Sequence, residues 1–158
     1  MAFDLRTDEI IGAFRTLLGT SITVGSNVGA INSKPEGNPL FWVAQAKYPT
    51  CVIVPNSVDF IHEPKTTKSV YSFSIFYCMD MTDKDAEFPN PYELARKRAE
   101  ILLGRLEASQ TLGLSYIQDS YPMAFMAGNE INELFLDNEQ HRVAVQIDYA
   151  VEIAQARS

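Results

Sequence analysis

The sequence lacks the features that mark several large classes of protein. Among its 158 residues, no apolar run approaches the roughly 20 residues that a membrane-spanning helix needs. The first residues include Asp4 and carry no basic stretch followed by an apolar segment, so we expect no secretory signal. Hydrophobic residues (46%) and charged residues (21%) occur in globular rather than disordered proportions. These observations predict a cytosolic protein without a membrane partner.

Cysteine and clustered basic charge are both scarce. Cys51 and Cys78 are the only cysteines and lie among apolar or aromatic neighbours, so we expect two buried free thiols rather than a disulfide. The net charge of -7, without an extended Lys/Arg cluster, disfavours sequence-specific binding to duplex DNA. The densest basic stretch is residues 96–98, and Glu100 stands at i,i+4 from Arg96. We therefore predict a solvent-exposed helix face there.

No catalytic or metal-binding motif is present. The sequence contains neither G-x-S-x-G nor a glycine-rich phosphate loop that ends in Gly-Lys-Ser/Thr. His62 and His141 belong to no metal-binding pattern, and His62 with Glu63 is predicted as a surface pair at a strand end. The acidic stretch at residues 80–85 lacks the spacing of a calcium loop and includes Lys84. We expect no enzymatic activity, no cofactor and no metal.

Hydrophobic periodicity predicts two helices and several strands. Residues 4–18 show an apolar face with a period of 3.6 residues. A second helix, at residues 91–107, has a full set of start signals, with Asn90 as the cap, Pro91 at the first position and Glu93 at the third. Strands are predicted at residues 21–24, 40–46, 51–54, 59–63, 69–79, 116–119, 123–127, 131–136 and 143–153.

Two of these strands carry the strongest patterns. In residues 69–79, alternate side chains from Tyr71 to Met79 share one apolar face, and the other face becomes apolar toward the end. That half should pass under a helix or into a subunit contact. Residues 143–153 alternate without a break, and we expect them to pair with residues 131–136 in a long C-terminal β-hairpin. The predicted fold is a single α+β domain over residues 1–158, with a mainly antiparallel sheet packed against two helices.

Two segments have no such pattern and are candidates for partner binding. Residues 25–39 contain three glycines, three asparagines and two prolines, which predicts a flexible loop. It is either an extended arm that orders against a partner or a plain surface loop. Residues 80–90 form an acidic link. The partner-binding candidates in these segments are Asn27, Asn32, Lys34, Glu36, Asn38, Asp80, Asp83, Lys84 and Asp85.

The aromatic pair Phe41 and Trp42 lies within the strand predicted at residues 40–46. Large aromatic side chains supply much of the buried area of a core, although a ligand can also stack on them. We predict that this pair belongs to the core rather than to a ligand-binding platform.

The order of the elements resembles that of a known family. An N-terminal helix leads to short strands around the proline-containing stretch at residues 48–55. A long strand at residues 70–79 feeds a helix of mixed charge at residues 91–107, and a closing hairpin ends in residues 143–149. This order, over most of the chain, resembles the tail terminator and tail-completion (head-tail joining) proteins of tailed bacteriophages, which are small α+β proteins of about this size.

The resemblance implies a structural component of the virion rather than an enzyme. Members of this family assemble as rings, commonly hexameric, on the head-proximal end of the tail tube. There they stop tube growth and provide the surface on which the head connector docks. The implied partners are other copies of the chain, the tube protein and the connector, with assembly in the host cytoplasm and a final location in the tail or neck. DNA would pass through only as cargo, which an acidic chain suits.

Two other classes remain open at this point. One is a different neck, connector or baseplate adaptor protein. The other is a small cytosolic ligand-binding or enzymatic α+β domain. A deep pocket that holds His62 or His141 with convergent carboxylates would favour the second class.

Overall fold

The centre of the fold is a four-stranded antiparallel sheet. The computed structural model describes residues 5–42, 47–80, 87–127 and 142–156. The helical elements are α1 (Thr7–Leu18), the single turn α2 (Pro39–Trp42) and α3 (Pro91–Glu107). The strands are β1 (Ser21–Val24), β2 (Asn27–Ala30), β3 (Thr50–His62), β4 (Thr66–Asp80), β5 (Ile117–Met126) and β6 (Arg142–Ala156). These elements form a single α+β domain, which confirms the predicted fold class.

The order of the strands in the main sheet is β3-β4-β6-β5, and β1 and β2 form a separate two-stranded sheet. β4 pairs with β6 along its full length, from Thr66 opposite Ala156 to Asp80 opposite Arg142. The predicted C-terminal hairpin is confirmed, with β5 as the strand that precedes β6. The predicted first strand of that hairpin, residues 131–136, lies outside the described residues.

One face of the sheet, which we call the inner face, carries the core. The alternate β4 side chains from Tyr71 to Met79 are buried, as predicted. The Phe14 ring on α1 packs edge-on against Phe73 and Tyr149, with centroid distances of 5.0 and 5.8 Å. Leu94, Ala95, Ala99, Leu102 and Leu106 of α3 belong to the same buried cluster. Both long helices therefore serve to cover the inner face.

The opposite face, which we call the outer face, has a smaller apolar cluster. It consists of Val52, Phe76, Cys78 and Ala144, against which Trp42, Tyr48 and Val54 pack. The apolar second face of β4 is thus covered by side chains from α2 and from the segment before β3. Both cysteines are buried and free, as predicted. Burial raises the pKa of Cys51 to about 12 and raises that of Cys78 as well.

The ends of the long helices are well defined. Asn90 caps α3, since its Oδ1 accepts a hydrogen bond of 3.0 Å from Tyr92 N. α1 ends at Gly19, which has a positive φ of 77°. Arg105 of α3 caps the same end of α1, because its Nη1 donates over 2.7 Å to Leu18 O. Its Nη2 donates over 2.7 Å to Ser21 O, at the start of β1. Asp4, the predicted first residue of α1, lies outside the described residues.

Several predicted boundaries were wrong, and proline explains three of them. Residues 51–54 and 59–63 belong to one strand, β3, because a bulge between Pro55 and Ser57 lets the strand continue past the proline. The stretches at residues 116–119 and 123–127 likewise belong to one strand, β5, with bulges that include one between Pro122 and Ala124. Pro39 begins the helical turn α2 where we had predicted a strand at residues 40–46, of which 43–46 lie outside the described residues.

Candidate assembly surface

The segment at residues 25–39 is bonded to the domain, and the prediction of a loop without secondary structure was wrong. β2 pairs with β1 across a tight turn at Gly25, where φ is 59°. Residues 32–37, which we call the edge strap, then run parallel to the free edge of β3. Four backbone hydrogen bonds join them: Asn32 N to Pro49 O (2.8 Å), Cys51 N to Ser33 O (3.0 Å), Ile53 N to Pro35 O (2.9 Å) and Gly37 N to Ile53 O (3.0 Å). Pairing with a distant strand leaves no periodic pattern in the sequence.

Three of the predicted partner-binding residues in this segment use their side chains within the subunit. Asn27 Oδ1 accepts a hydrogen bond of 2.7 Å from Arg98 Nη2. Asn32 Nδ2 donates to Tyr48 O over 2.6 Å. The Lys34 ammonium donates to two main-chain oxygens at the end of α1, Arg15 O (2.8 Å) and Gly19 O (2.7 Å). These bonds hold the segment to the domain, and its role toward a partner stays a prediction.

Glu36 and Asn38 bond through their main-chain oxygens. Glu36 O accepts from Trp42 Nε1 at 2.9 Å, and Asn38 O accepts from Phe41 N at 3.0 Å. Trp42 is partly buried against the outer face, whereas Phe41 is 56% exposed. The prediction that both aromatic side chains belong to the core was therefore wrong for Phe41, because the single turn of α2 points it away from the sheet.

The described ends of the acidic link are both bound. Asp80 Oδ1 lies 2.8 Å from Arg142 Nε, and the Arg142 guanidinium lies 3.5 Å from the centre of the Tyr48 ring. Burial raises the pKa of Tyr48 to about 12. At the other end, Glu87 Oε2 accepts hydrogen bonds from Ser26 N (3.2 Å) and Ser26 Oγ (2.6 Å). Asp83, Lys84 and Asp85 lie outside the described residues.

Arg98 corrects the prediction of a solvent-exposed basic face on α3. Arg96 does form the expected pair with Glu100, at 2.6 Å, but Arg98 is only 1% exposed. Its Nη1 donates to Tyr77 Oη over 3.0 Å, and its Nη2 reaches Asn27 as described above. The sequence held a signal for this position, because Arg98 lies four residues after Leu94 and four before Leu102 on the apolar side of α3. Arg98 therefore joins α3 to β4 and β2.

An open groove of about 580 Å³ lies on the outer face between the end of the edge strap and the sheet. It is lined by residues 36–39, 54–56, Ser74, Phe76 and Gln146. A chain of polar contacts lies beside it. Asn56 Nδ2 donates to Ser74 Oγ (2.7 Å), which donates to Asp148 Oδ1 (2.7 Å), and Gln146 Nε2 donates to the same oxygen (2.8 Å). These contacts fix the polar side chains of the groove in place.

Two exposed apolar patches lie on opposite edge strands of the sheet. The first, which we call the β5 patch, consists of Tyr121, Met123 and Met126, of which Met123 is 51% exposed. The second, which we call the ribbon tip, consists of Phe60 (42% exposed) and Ile61 (48% exposed), consecutive residues on the far half of β3 whose side chains lie on opposite faces of the strand. Sequence reasoning placed strands at both positions. It missed the patches, because apolar alternation does not reveal which face a neighbouring element covers.

The described residues contain little that resembles a catalytic or metal site. No group of three or more His, Cys, Asp or Glu residues is arranged to hold a metal ion within these ranges. His62 lies on β3, with its Nδ1 3.1 Å from Thr67 Oγ1, and no histidine is among the residues that line the outer-face groove. His141 lies outside the described ranges. Across the part of the chain that the structure describes, no helix has the length and apolar composition needed to span a membrane.

Comparisons with protein-family models and with curated proteins find no match for this chain.

Proposed function

We propose that this protein is a structural component of the virion of a tailed bacteriophage, a ring-forming tail terminator that caps the tail tube and joins it to the head connector. The order of its elements supports the proposal. A first helix, a long β4, a second helix and a closing hairpin follow one another in a single α+β domain, as in the family that the sequence resembles.

The observation that carries the proposal is the presence of two different exposed apolar patches on opposite edges of one sheet. A closed ring needs two distinct surfaces on each subunit, because subunits in a ring meet head to tail. β3 carries the ribbon tip and β5 carries the β5 patch, and two strands separate them. At about 4.8 Å between neighbouring strands, the two edge strands that carry the patches lie roughly 14 Å apart across the sheet. The ribbon tip of one subunit can therefore face the β5 patch of the next.

The charge of the chain supports the same role. A net charge of -7 disfavours adhesion of a polyanion to the protein surface. A ring that DNA passes through during packaging or ejection benefits from that repulsion, since DNA is then cargo rather than a ligand.

The first test measures the mass of the assembly. We expect light scattering of the 17.7 kDa chain, alone or mixed with tube protein, to give a discrete multiple of the subunit mass, and negative-stain images to show a central hole. Met123→Glu should block assembly through the β5 patch, and Ile61→Glu should block it through the ribbon tip. Val28→Glu is the matched control, because Val28 is exposed on β2 away from both patches.

Mixing the two blocked variants separates a head-to-tail ring from other arrangements. Each variant keeps the patch that the other has lost, so one good interface forms and no further subunit can join. The mixture should therefore give a dimer of about 35 kDa, twice the subunit mass, while each variant alone stays a monomer. A wild-type chain that stays monomeric and does not bind tube protein would contradict the proposal. Rings that form equally well from either variant would contradict it too.

The outer-face groove favours a second candidate, a small ligand-binding domain. Its volume lies within the range of small-molecule sites, and fixed polar groups line it. A thermal-shift screen of small molecules tests this candidate. Stabilisation by a ligand that Gln146→Ala abolishes, in a chain that remains monomeric, would favour the binding domain over the ring. Another neck, connector or baseplate adaptor role would be favoured by assembly with those proteins and not with the tube.

A further inference from the structure

β3 carries an uncharged apolar stretch on an edge of the described sheet. Residues 51–54 are Cys, Val, Ile and Val, four consecutive apolar residues of high β propensity without a charge. They lie on an edge strand, where one row of backbone N–H and C=O groups points away from the sheet. An open edge of this composition is a template for pairing with a second copy of the same chain.

The edge strap forms backbone hydrogen bonds along this edge of β3. Cys51 N and Ile53 N of β3 donate to strap carbonyls, and strap N–H groups donate to Ile53 O and to Pro49 O, which immediately precedes β3. The bridges are parallel in a sheet whose ladders are otherwise antiparallel. The strap is therefore an added cover on the edge rather than a fifth strand of the sheet.

Where the strap ends, a proline and a bulge make the edge of β3 a poor partner for another strand. The residues of β3 that face the strap are Cys51 and Ile53, and Pro55 is the next residue in this alternation. Pro55 has no backbone N–H to offer. The bulge between Pro55 and Ser57 then interrupts the register of the strand. Three edge groups of β3, Cys51 N, Ile53 N and Ile53 O, are thus bonded to the strap, and the next donor position, Pro55, has no N–H.

Side chains anchor the strap at its centre. The Lys34 ammonium bonds to Arg15 O and Gly19 O, and Arg15 Nε returns a hydrogen bond of 2.8 Å to Lys34 O. Ser33 Oγ lies 2.8 Å from both Lys47 O and Thr50 Oγ1. These contacts tie the strap to the end of α1 on one side and to the start of β3 on the other. Such anchoring makes the cover stable without a long ladder of its own.

We infer that the edge strap prevents a second copy of this chain from pairing with β3. The edge strap covers the backbone edge in the first part of β3, up to Ile53, and leaves the ribbon tip on the far half of the strand exposed. The other edge strand has comparable devices, because β5 contains Pro122 and two bulges. The inference does not depend on the ring proposal, since it concerns how the isolated subunit avoids uncontrolled sheet extension.

The test removes the side chains that anchor the edge strap. It then measures both the accessibility of Cys51 on β3 and the aggregation of the chain. In a Cys78→Ala background, Cys51 is the only thiol; it is buried in the inner-face cluster with a raised pKa, and its backbone N bonds to the strap at Ser33 O. We expect Lys34→Ala, and more strongly Ser33→Ala with Lys34→Ala, to increase the alkylation rate of Cys51 by iodoacetamide about tenfold, because anchoring hydrogen bonds are lost. The same variants should form thioflavin-positive aggregates while circular dichroism remains native. Glu36→Ala is the matched control, because the Glu36 side chain is exposed and only its main-chain oxygen is used.

A second-site change shows whether association runs through β3. Val54→Lys places a charge on the edge stretch, so it should suppress aggregation of the anchor variants while Cys51 stays reactive. Unchanged alkylation in the anchor variants would overturn the inference, and so would fast alkylation without aggregation, or aggregation that Val54→Lys does not slow. If the double variant fails to fold, the inference is tested instead by hydrogen exchange at the Cys51 and Ile53 amides in the single Lys34→Ala variant, where exchange should be faster than in Glu36→Ala. Protection equal to that of Glu36→Ala would overturn the inference.

Discussion

The two faces of the main sheet are built differently. The inner face is one continuous buried layer in which α1 and α3 cover side chains from β3, β4, β5 and β6. The outer face changes along its length, from a small covered cluster to a polar groove and then to the β5 patch. Continuous burial stabilises a fold, whereas exposed apolar area that is left uncovered marks a surface for contact. The contrast indicates that stability depends on the inner face, and we propose that the outer face and the strand edges serve assembly.

The largest expected effect is at the centre of the inner face. Phe14→Ala removes a fully buried ring that contacts Phe73 and Tyr149, and we expect it to lower the free energy of unfolding by about 3–5 kcal/mol. Chemical denaturation measures the change. Met123→Ala on the β5 patch is the matched outer-face variant, with an expected change within about 0.5 kcal/mol. Similar losses of unfolding free energy in the two variants would contradict the different roles of the two faces.

The next effect tests whether the β1–β2 sheet belongs to the same stabilising unit. A Cβ at Gly29 would lie 2.6 Å from Arg98 Cζ, so Gly29→Ala forces the buried guanidinium to move. We expect a loss of about 1–3 kcal/mol, as for other overpacked sites. Gly104→Ala is the control, since a Cβ there meets nothing within 4 Å, and it should stabilise α3 by about 0.5–1 kcal/mol. If both variants were neutral in thermal or chemical unfolding, Arg98 would not hold β2 against the core.

A smaller effect is expected at the start of α3. Asn90→Ala removes the side chain that accepts from Tyr92 N, and the free energy of unfolding should fall by about 1 kcal/mol. Asn90→Asp retains an acceptor and places a negative charge at the positive end of the helix dipole, so it should preserve stability. Equal losses for the two variants would show that the cap contributes nothing through this hydrogen bond.

The smallest effect lies at the rim of the inner face and depends on pH. Glu9 Oε2 accepts hydrogen bonds from Tyr116 Oη (2.6 Å) and Arg6 Nη1 (3.1 Å), which lower the pKa of Glu9 from its ordinary 4.5. A lowered folded-state pKa contributes stability above pH 4.5, and that contribution is lost as the pH falls through the folded-state pKa. The difference in Tm between wild type and Tyr116→Phe should therefore be constant above pH 5 or so and shrink toward pH 3. A difference that grows on acidification would contradict this assignment.

Sequence reasoning succeeded where a pattern is local. The cap at Asn90, the alternation in β4 and β6, and the α+β class all depend on neighbours within a few residues, and the structure confirms them. It failed where the partner is distant in the chain. The edge strap pairs with β3 through glycine- and proline-rich residues, so its order left no periodicity to detect.

The candidate surface was predicted less well than the fold. Composition pointed to the segment at residues 25–39, but Asn27, Asn32 and Lys34 bond within the subunit. The exposed patches on β3 and β5 depend instead on which side chains the helices and α2 leave uncovered. That is a property of tertiary packing, which alternation within a strand does not contain. For a similar reason the burial of Arg98 was not predicted. Its charge suggested exposure to solvent, although its spacing on α3 indicated a position facing the core.

The cap on α1 by Arg105 has a consequence for synthesis on the ribosome. Arg105 follows Leu18 by 87 positions in the chain, so the last turn of α1 is made long before the guanidinium that completes it. At typical elongation rates of 5–20 residues per second, the nascent helix waits roughly 4–17 seconds for that partner. We expect the last turn of α1 to remain unprotected in nascent chains that end before Arg105, and pulsed hydrogen exchange on stalled ribosome complexes would detect it. The C-terminal end of α1 can therefore be completed only after most of the chain has been synthesised.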